Sequence, residues 1–208
     1  MGLEAFEKLS IQKKELILSK GIKEFSMKSY SKATMENITK KCGISKGILF
    51  HYFGSKKQFY LVCLETSLKR LLMETKYSEA DDFYAILFEM MNCKLEVCKK
   101  YQDEMHMVNM ASRETAEEVF AEKNELFKKN HRFIQKESME TLGRAVKTLN
   151  LKNMTQKKTE GLYLYIQAVI NHYLTMYQQT PDQFFEDSER IKKEMKEYLD
   201  CMLVGICN

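Results

Sequence analysis

Apolar residues recur every three or four positions along most of the 208-residue chain and almost never alternate with polar ones. That spacing puts them on one face of a helix, and no stretch has the two-residue period of a convincing strand. The first long stripe is Ile17, Leu18, Ile22 and Phe25, which predicts a helix from about Ser10 to Lys28. Later stripes predict helices over about Ser55–Lys76, Asp82–Tyr101, Asp103–Ser112, Lys123–Leu149, Thr155–Gln179 and Ser188–Ile206. Polar breaks at Lys76–Asp82 and Asn150–Asn153, and Pro181-Asp182, separate them. Residues 1–10 read as a loose arm or a short extra helix, and Thr115–Ala121 adds a turn or two. In the helix from Thr155, apolar residues cover more than one stripe, so two of its sides are expected to be covered.

Between the first two long stripes lies TMENITKKCGISKGILFHYF, Thr34 to Phe53. Thr34 is a good N-cap, since its hydroxyl accepts a first-turn N–H. Ile38 supplies the inward position, and Gly43 suits a left-handed C-terminal cap. Ile44 anchors the turn, and Ser45 caps a second helix from Lys46 to Tyr52. Two short helices around a glycine turn form a helix-turn-helix. The second helix of such a unit lies in the DNA major groove. With these two short helices the count is about nine, and the fold class is all-α.

The flanks make the match more specific. Ile17-Leu18, Phe25, Tyr30, Thr34, Ile38, Gly43-Ile44-Ser45-Lys46-Gly47, Leu49, Tyr52-Phe53, Ser55-Lys56 and Phe59 occur in an order that resembles the DNA-binding region of the TetR (tetracycline repressor) family of bacterial regulators. The rest of the chain resembles that family in length and helical layout. Two positions depart from the family pattern: Ile48 stands where threonine is common, and Phe50 where tyrosine is usual. Each replaces a hydroxyl contact, although Ile48 can touch a thymine methyl. Ser29 also stands where the family usually has glycine.

The resemblance implies a helix-turn-helix DNA-binding domain over residues 1–56. It further implies an effector-binding and dimerisation domain over 57–208, the boundary lying inside the helix that begins near Ser55. Lys46 is the candidate for base edges, because lysine donates to guanine O6 and N7. Gly47 lets the backbone come close to the groove. Thr34, Ser45, His51, Tyr52 and Lys56 are candidates for phosphate contacts, which position a protein without reading sequence. Ile48 and Phe50 complete the candidate DNA-binding set.

In the family's fold the central helices surround an effector pocket. Methionine and aromatic residues are abundant there in this chain, and methionine adapts to irregular apolar shapes. Candidate effector contacts are Tyr84, Phe88, Met91, Met105, His106, Met110, Phe127, His131, Tyr163 and His172. A methionine-aromatic stripe at helical spacing is also what an ordinary core looks like. The family also implies a homodimer through the last two helices, a double-stranded operator and a small apolar or amphipathic effector that releases a repressor. The alternative is a DNA-binding protein of the same fold without a small-molecule switch, acting through a protein partner or in nucleoid organisation.

Charge agrees with DNA contact at one end. Residues 1–70 carry 14 Lys and Arg against 6 Asp and Glu, a net +8, while residues 71–208 carry 19 against 23, a net −4. Only 8 Gly and 1 Pro punctuate the chain, in keeping with long helices. The six cysteines contain no Cys-x-x-Cys pair, so they read as reduced, core-filling thiols rather than a metal or disulfide framework. No cofactor or metal is expected. Neither a signal peptide nor a membrane span is apparent, and the expected location is the cytoplasm. No G-x-S-x-G, H-E-x-x-H or phosphate-cradling glycine loop occurs, so no enzyme is expected.

Overall fold

The computed structural model describes residues 2–73, 79–149, 151 and 154–207, with side chains to residue 204. Among the described residues every regular element is helical: α1 (Gly2–Glu7), α2 (Ile11–Met27), α3 (Met35–Cys42), α4 (Lys46–Phe53), α5 (Lys56–Met73), α6 (Phe83–Lys100), α7 (Gln102–Ser112), α8 (Glu117–Thr148), α9 (Gln156–Tyr177), α10 (Pro181–Glu186) and α11 (Ser188–Cys207). Of these eleven, nine have seven residues or more, and the two short ones, α1 and α10, account for the difference from the expected nine. Pro181, read from sequence as a stop, is the first residue of α10, where proline's missing N–H is no loss. The expected turn at 115–121 and the helix from Lys123 form one continuous element, α8. Residues 76–78 of the break expected at 76–82, and most of the turn expected at 150–153, lie outside the described residues, while 79–82 are non-helical as expected.

Local chemistry explains most of the boundaries. Ser10, Thr34, Ser45 and Thr155 each precede a helix, and each side-chain oxygen accepts a backbone N–H from the first turn. Ser55 does the same for α5 through Gln58 N at 3.1 Å. Gly43, at φ 66°, closes α3 in the left-handed conformation, and its N–H donates to the Thr39 carbonyl. Gly54 closes α4 at φ 72°.

The chain divides into two compact units, Met1–Met73 with Tyr101–His131, and Glu74–Lys100 with Arg132–Asn208. Helix α5, inside which the sequence places the domain boundary, falls wholly in the first compact unit. The first unit is built around α2, which packs against α7, α3 and α5. Ile17, Ile22, Phe25, Ile38, Leu49, Phe59, Leu64 and Met107 fill its core. Gly21 lets α2 and α5 approach closely, because a Cβ there would sit 2.5 Å from the Phe59 ring and 2.7 Å from Cys63 Sγ. Arg70 of α5 pairs with Glu15 of α2 and, at 2.6 Å, with the buried Glu104 of α7. Lys23 of α2 meets Asp103 of α7 at 2.6 Å. Lys123 is buried because its ammonium donates to the Glu114 carbonyl at 2.7 Å.

The second unit joins α6, the later part of α8, α9, α10 and α11 around Phe83, Leu87, Met91, Leu142, Ile166, Ile170, Phe184, Ile191 and Leu199. Its α9 does not bury its whole apolar arc, since Leu164, Tyr165 and Met176 stay exposed. Cys42 and Cys63 fill the first unit's core, where burial pushes both thiols up and away from the reactive thiolate. Cys93 and Cys98 are half-buried and Cys201 is exposed. No helix among the described residues is long and apolar enough to cross a membrane.

Candidate nucleic-acid interface

Helix α4 has eight residues and buries only two, Leu49 and Phe53, which pin it to the first unit's core. Lys46, Gly47 and His51 are exposed, and their i, i+1, i+5 spacing puts them on one face. Ile48, 41% exposed, flanks that face. Phe50 and Tyr52 are half-buried against the core, so Phe50 is chiefly a packing residue. Gly47 has room: a Cβ built there meets nothing closer than Ser45 Oγ at 3.8 Å. Nothing among the described residues therefore requires glycine at that position.

The candidate phosphate contacts surround this helix in different ways. Thr34 and Ser45 are exposed, but their side-chain oxygens already cap α3 and α4, accepting Asn37 N at 3.3 Å and Ile48 N at 3.2 Å. Their hydroxyl hydrogens remain able to donate. The Lys56 ammonium lies 4.5 Å from the centre of the Tyr30 ring and donates to the Ser31 carbonyl at 3.4 Å. It is thus held at the start of α5 by a cation–π contact as well as a hydrogen bond.

Two acidic residues that sequence reasoning passed over shape the site. Glu36, in the first turn of α3, is ion-paired with Lys46, whose ammonium also lies 5.8 Å from the Phe50 ring centre. A hydrogen bond from Lys46 draws the Glu36 carboxyl below its usual range. Glu24 of α2 is 2% exposed and accepts from Lys28 at 2.7 Å, Lys41 at 3.1 Å and the Asn37 side-chain amide at 3.2 Å. Burial alone would raise its pKa. The hydrogen bonds from Lys28, Asn37 and Lys41 outweigh that and lower it from 4.5 to about 2. Two of those partners belong to α3, so Glu24 fixes α3 on α2. Neither acid is singled out by the sequence pattern. For Glu24 the available signal was Lys28 four residues on, the spacing of a helical ion pair.

The candidate effector residues do not converge within either unit. Met105 is buried in the core of the first unit, where Phe127 packs partly buried against it. Phe88 and Met91 are core residues of the second unit. His106, Met110 and His131 lie at the surface. The Tyr84 hydroxyl donates to Asp200. Tyr163 lines a cleft of about 340 Å³ with Gly143, Val146, Lys147, Leu151, Met154 and Thr159. His172 lines another, of about 350 Å³, with Ala168, Val169 and Tyr198.

Residues 17–63 match the sequence model of the bacterial regulatory proteins of the tetR family. Over that stretch the chain is of the TetR family. In sequence it is similar to two uncharacterised helix-turn-helix transcriptional regulators of Bacillus subtilis strain 168. It is 33% identical to YerO over 70 residues, 34% of this chain and 24% of that protein. It is 38% identical to YuxN over 53 residues, 26% of this chain and 18% of that protein. The matched stretch thus spans about a quarter or less of either relative. The fold is similar over nearly the whole chain to that of MexZ, described as a key repressor responsible for antibiotic resistance in Pseudomonas aeruginosa. There the TM-score is 0.67 at 14% identity, covering 92% of this chain and 94% of that one. A TetR-like regulator from Rhodococcus sp. RHA1 gives 0.63 at 13% identity, covering 95% and 98%. At such identities the likeness establishes the TetR fold.

Proposed function

We propose that this TetR-family chain is a dimeric, sequence-specific DNA-binding regulator of transcription, acting as a repressor that a small apolar or amphipathic molecule releases from its operator. The observation that carries the reading is the exposed face of α4. A lysine, a glycine with open space around it, an isoleucine and a histidine lie together on the helix that enters the major groove in this motif. Lysine reads guanine edges and Ile48 a thymine methyl. Thr34, Ser45, Tyr52 and Lys56 take the flanking phosphates, setting register and adding a steep salt dependence.

Dimerisation is supported by α9 and α11. Tyr165, Ala168, His172 and Met176 follow helical spacing along α9 and are exposed, as are Tyr198 and Cys201 on α11. The Tyr165 hydroxyl donates to the Tyr198 carbonyl at 2.9 Å, so the two stripes are neighbours on one surface. A second copy covering that surface would give the two-fold symmetry that a palindromic operator mirrors. For the effector, the cleft beside Tyr163 joins apolar walls from Val146, Leu151 and Met154 to polar groups from Lys147, Thr159 and Tyr163. That mixture is typical of small-molecule sites, and its volume lies at the small end of their range. The effector acts through its unequal affinity for the DNA-competent and incompetent conformations, which differ in the separation of the two α4 helices.

Selection from random-sequence duplexes tests the reading. Enrichment of a palindrome with half-sites about one helical turn, roughly 34–36 Å, apart is expected. Enrichment of unrelated sequences would refute it.

A further inference from the structure

Helix α1 lies outside the stretch that matches the family, which begins at residue 17. It nevertheless packs on the recognition helix. Phe6 is 3% exposed. Its ring centre lies 4.8 Å from that of Phe53 and 5.9 Å from that of Tyr52, both on α4. Phe53 in turn lies 4.5 Å from Phe59 of α5. A file of three phenylalanines therefore runs from α1 through the C-terminal end of α4 into the core.

The contact is close at the other end of α1 as well. A Cβ on Gly2 would stand 2.6 Å from the carbonyl oxygens of both His51 and Tyr52. Those are backbone atoms at the end of α4, so a side chain at position 2 has to push the two helices apart. Helix α1 is itself fastened to α2: the Lys14 ammonium donates to the Glu7 carbonyl at 3.2 Å and pairs with the Glu7 carboxylate at 3.0 Å. Leu9 packs against the same core. A two-turn helix has little stability of its own, and its orientation comes from what packs on it.

We propose that α1 is a brace for the recognition helix, with Phe6 and Gly2 as positioning residues that set the angle of α4 and thereby sharpen discrimination between the operator and other DNA. The proposal rests on the DNA-binding reading above. Of the candidate phosphate contacts, Thr34, Ser45 and Lys56 lie outside the contact of α1 with α4, whereas Tyr52 and His51 take part in it through a ring face and backbone carbonyls, so most of the phosphate set stays in place when α1 is loosened. Loosening α1 should therefore blur base reading and leave sequence-blind binding in place.

The test uses the full chain as wild type, Phe6→Ala, Phe6→Leu and Gly2→Val. Affinity is measured for the palindrome selected by the wild type and for a scrambled duplex at the same salt. Hydrogen exchange is read on the amides of residues 50–53. Phe6→Ala and Gly2→Val should lose palindrome affinity by about tenfold, the scale expected for two lost ring contacts. Scrambled-duplex affinity should change less than about twofold, the α4 amides should exchange faster, and Phe6→Leu should recover most of the difference. A parallel fall on both duplexes would make α1 merely structural, and an unchanged ratio with unchanged exchange would make it irrelevant; either overturns the proposal. If the wild type itself prefers no sequence, the regulator reading fails first and this inference with it.

Discussion

Replacing Glu24 by glutamine removes the charge around which α2 and α3 are joined. The carboxylate is 2% exposed and accepts from Lys28, Lys41 and Asn37, which lowers its pKa from 4.5 to about 2. A displacement of that size corresponds to about 3 kcal/mol of stability once the group is ionised in both states. The two lysines are 39% and 46% exposed and regain water when the acid is lost, so Glu24→Gln should cost about 2 kcal/mol at pH 7. The sign follows from the lowered value. Between pH 4.5 and about 2 the unfolded chain carries a proton at this site that the folded chain lacks, so stability is full above the window and is lost as pH falls through it. The variant has no such proton to take up. Urea unfolding of both proteins by circular dichroism from pH 7 to pH 2.5, with exchange protection of α3 measured alongside, should show a gap that narrows as pH falls. A gap below about 0.5 kcal/mol at pH 7, or one that stays constant across the window, would refute the reasoning.

Three further substitutions probe the interface and the dimer. Gly47→Ala has space within the chain, so the unfolding midpoint should hold or rise while operator affinity falls as the methyl group meets the groove; unchanged affinity would remove the close-approach role. Glu36→Gln frees Lys46 from its ion pair and should raise affinity for scrambled DNA by about threefold with a steeper salt dependence, measured by fluorescence anisotropy. A fall in that affinity would show that Glu36 helps rather than restrains DNA contact. Ala168→Glu places a charge on the exposed α9 stripe and should yield a monomer in sedimentation with weak palindrome binding; a persisting dimer would move the interface elsewhere.

What could be read from the sequence was what local chemistry decides. Ser10, Thr34, Ser45, Ser55 and Thr155 announce helix starts through their hydroxyls, and Gly43 announces a left-handed stop, so the helix-turn-helix stands where its residues place it. What escaped was decided by tertiary contact. Glu24 and Lys123 are charged residues on amphipathic helices, and beyond the Lys28 spacing of Glu24, which solvated pairs share, nothing local marks them as buried until Asn37, Lys41 and the Glu114 carbonyl arrive from elsewhere in the chain. Phe6 was one of several apolar residues in a short N-terminal arm, and its burial depends on Tyr52 and Phe53. Pro181 can end one helix or begin another, and only the chain's path chooses. The effector set was the least legible part. Helical periodicity marks Phe88 and Met91 as inward without telling a packed core from a cavity wall, and both belong to the core. Tyr163 and His172 line clefts because of neighbours on α8 and α11.

The central claim, that the exposed face of α4 reads base edges, is tested most directly by binding of wild type and Lys46→Ala to the selected palindrome and to its scrambled counterpart at two salt concentrations. Lys46→Ala should lose about tenfold or more on the palindrome, within the range for one direct base contact, and far less on the scrambled duplex, so that the specificity ratio collapses. Equal losses on both duplexes, with the salt dependence shallower by about one phosphate contact, would make Lys46 a backbone contact and contradict the claim.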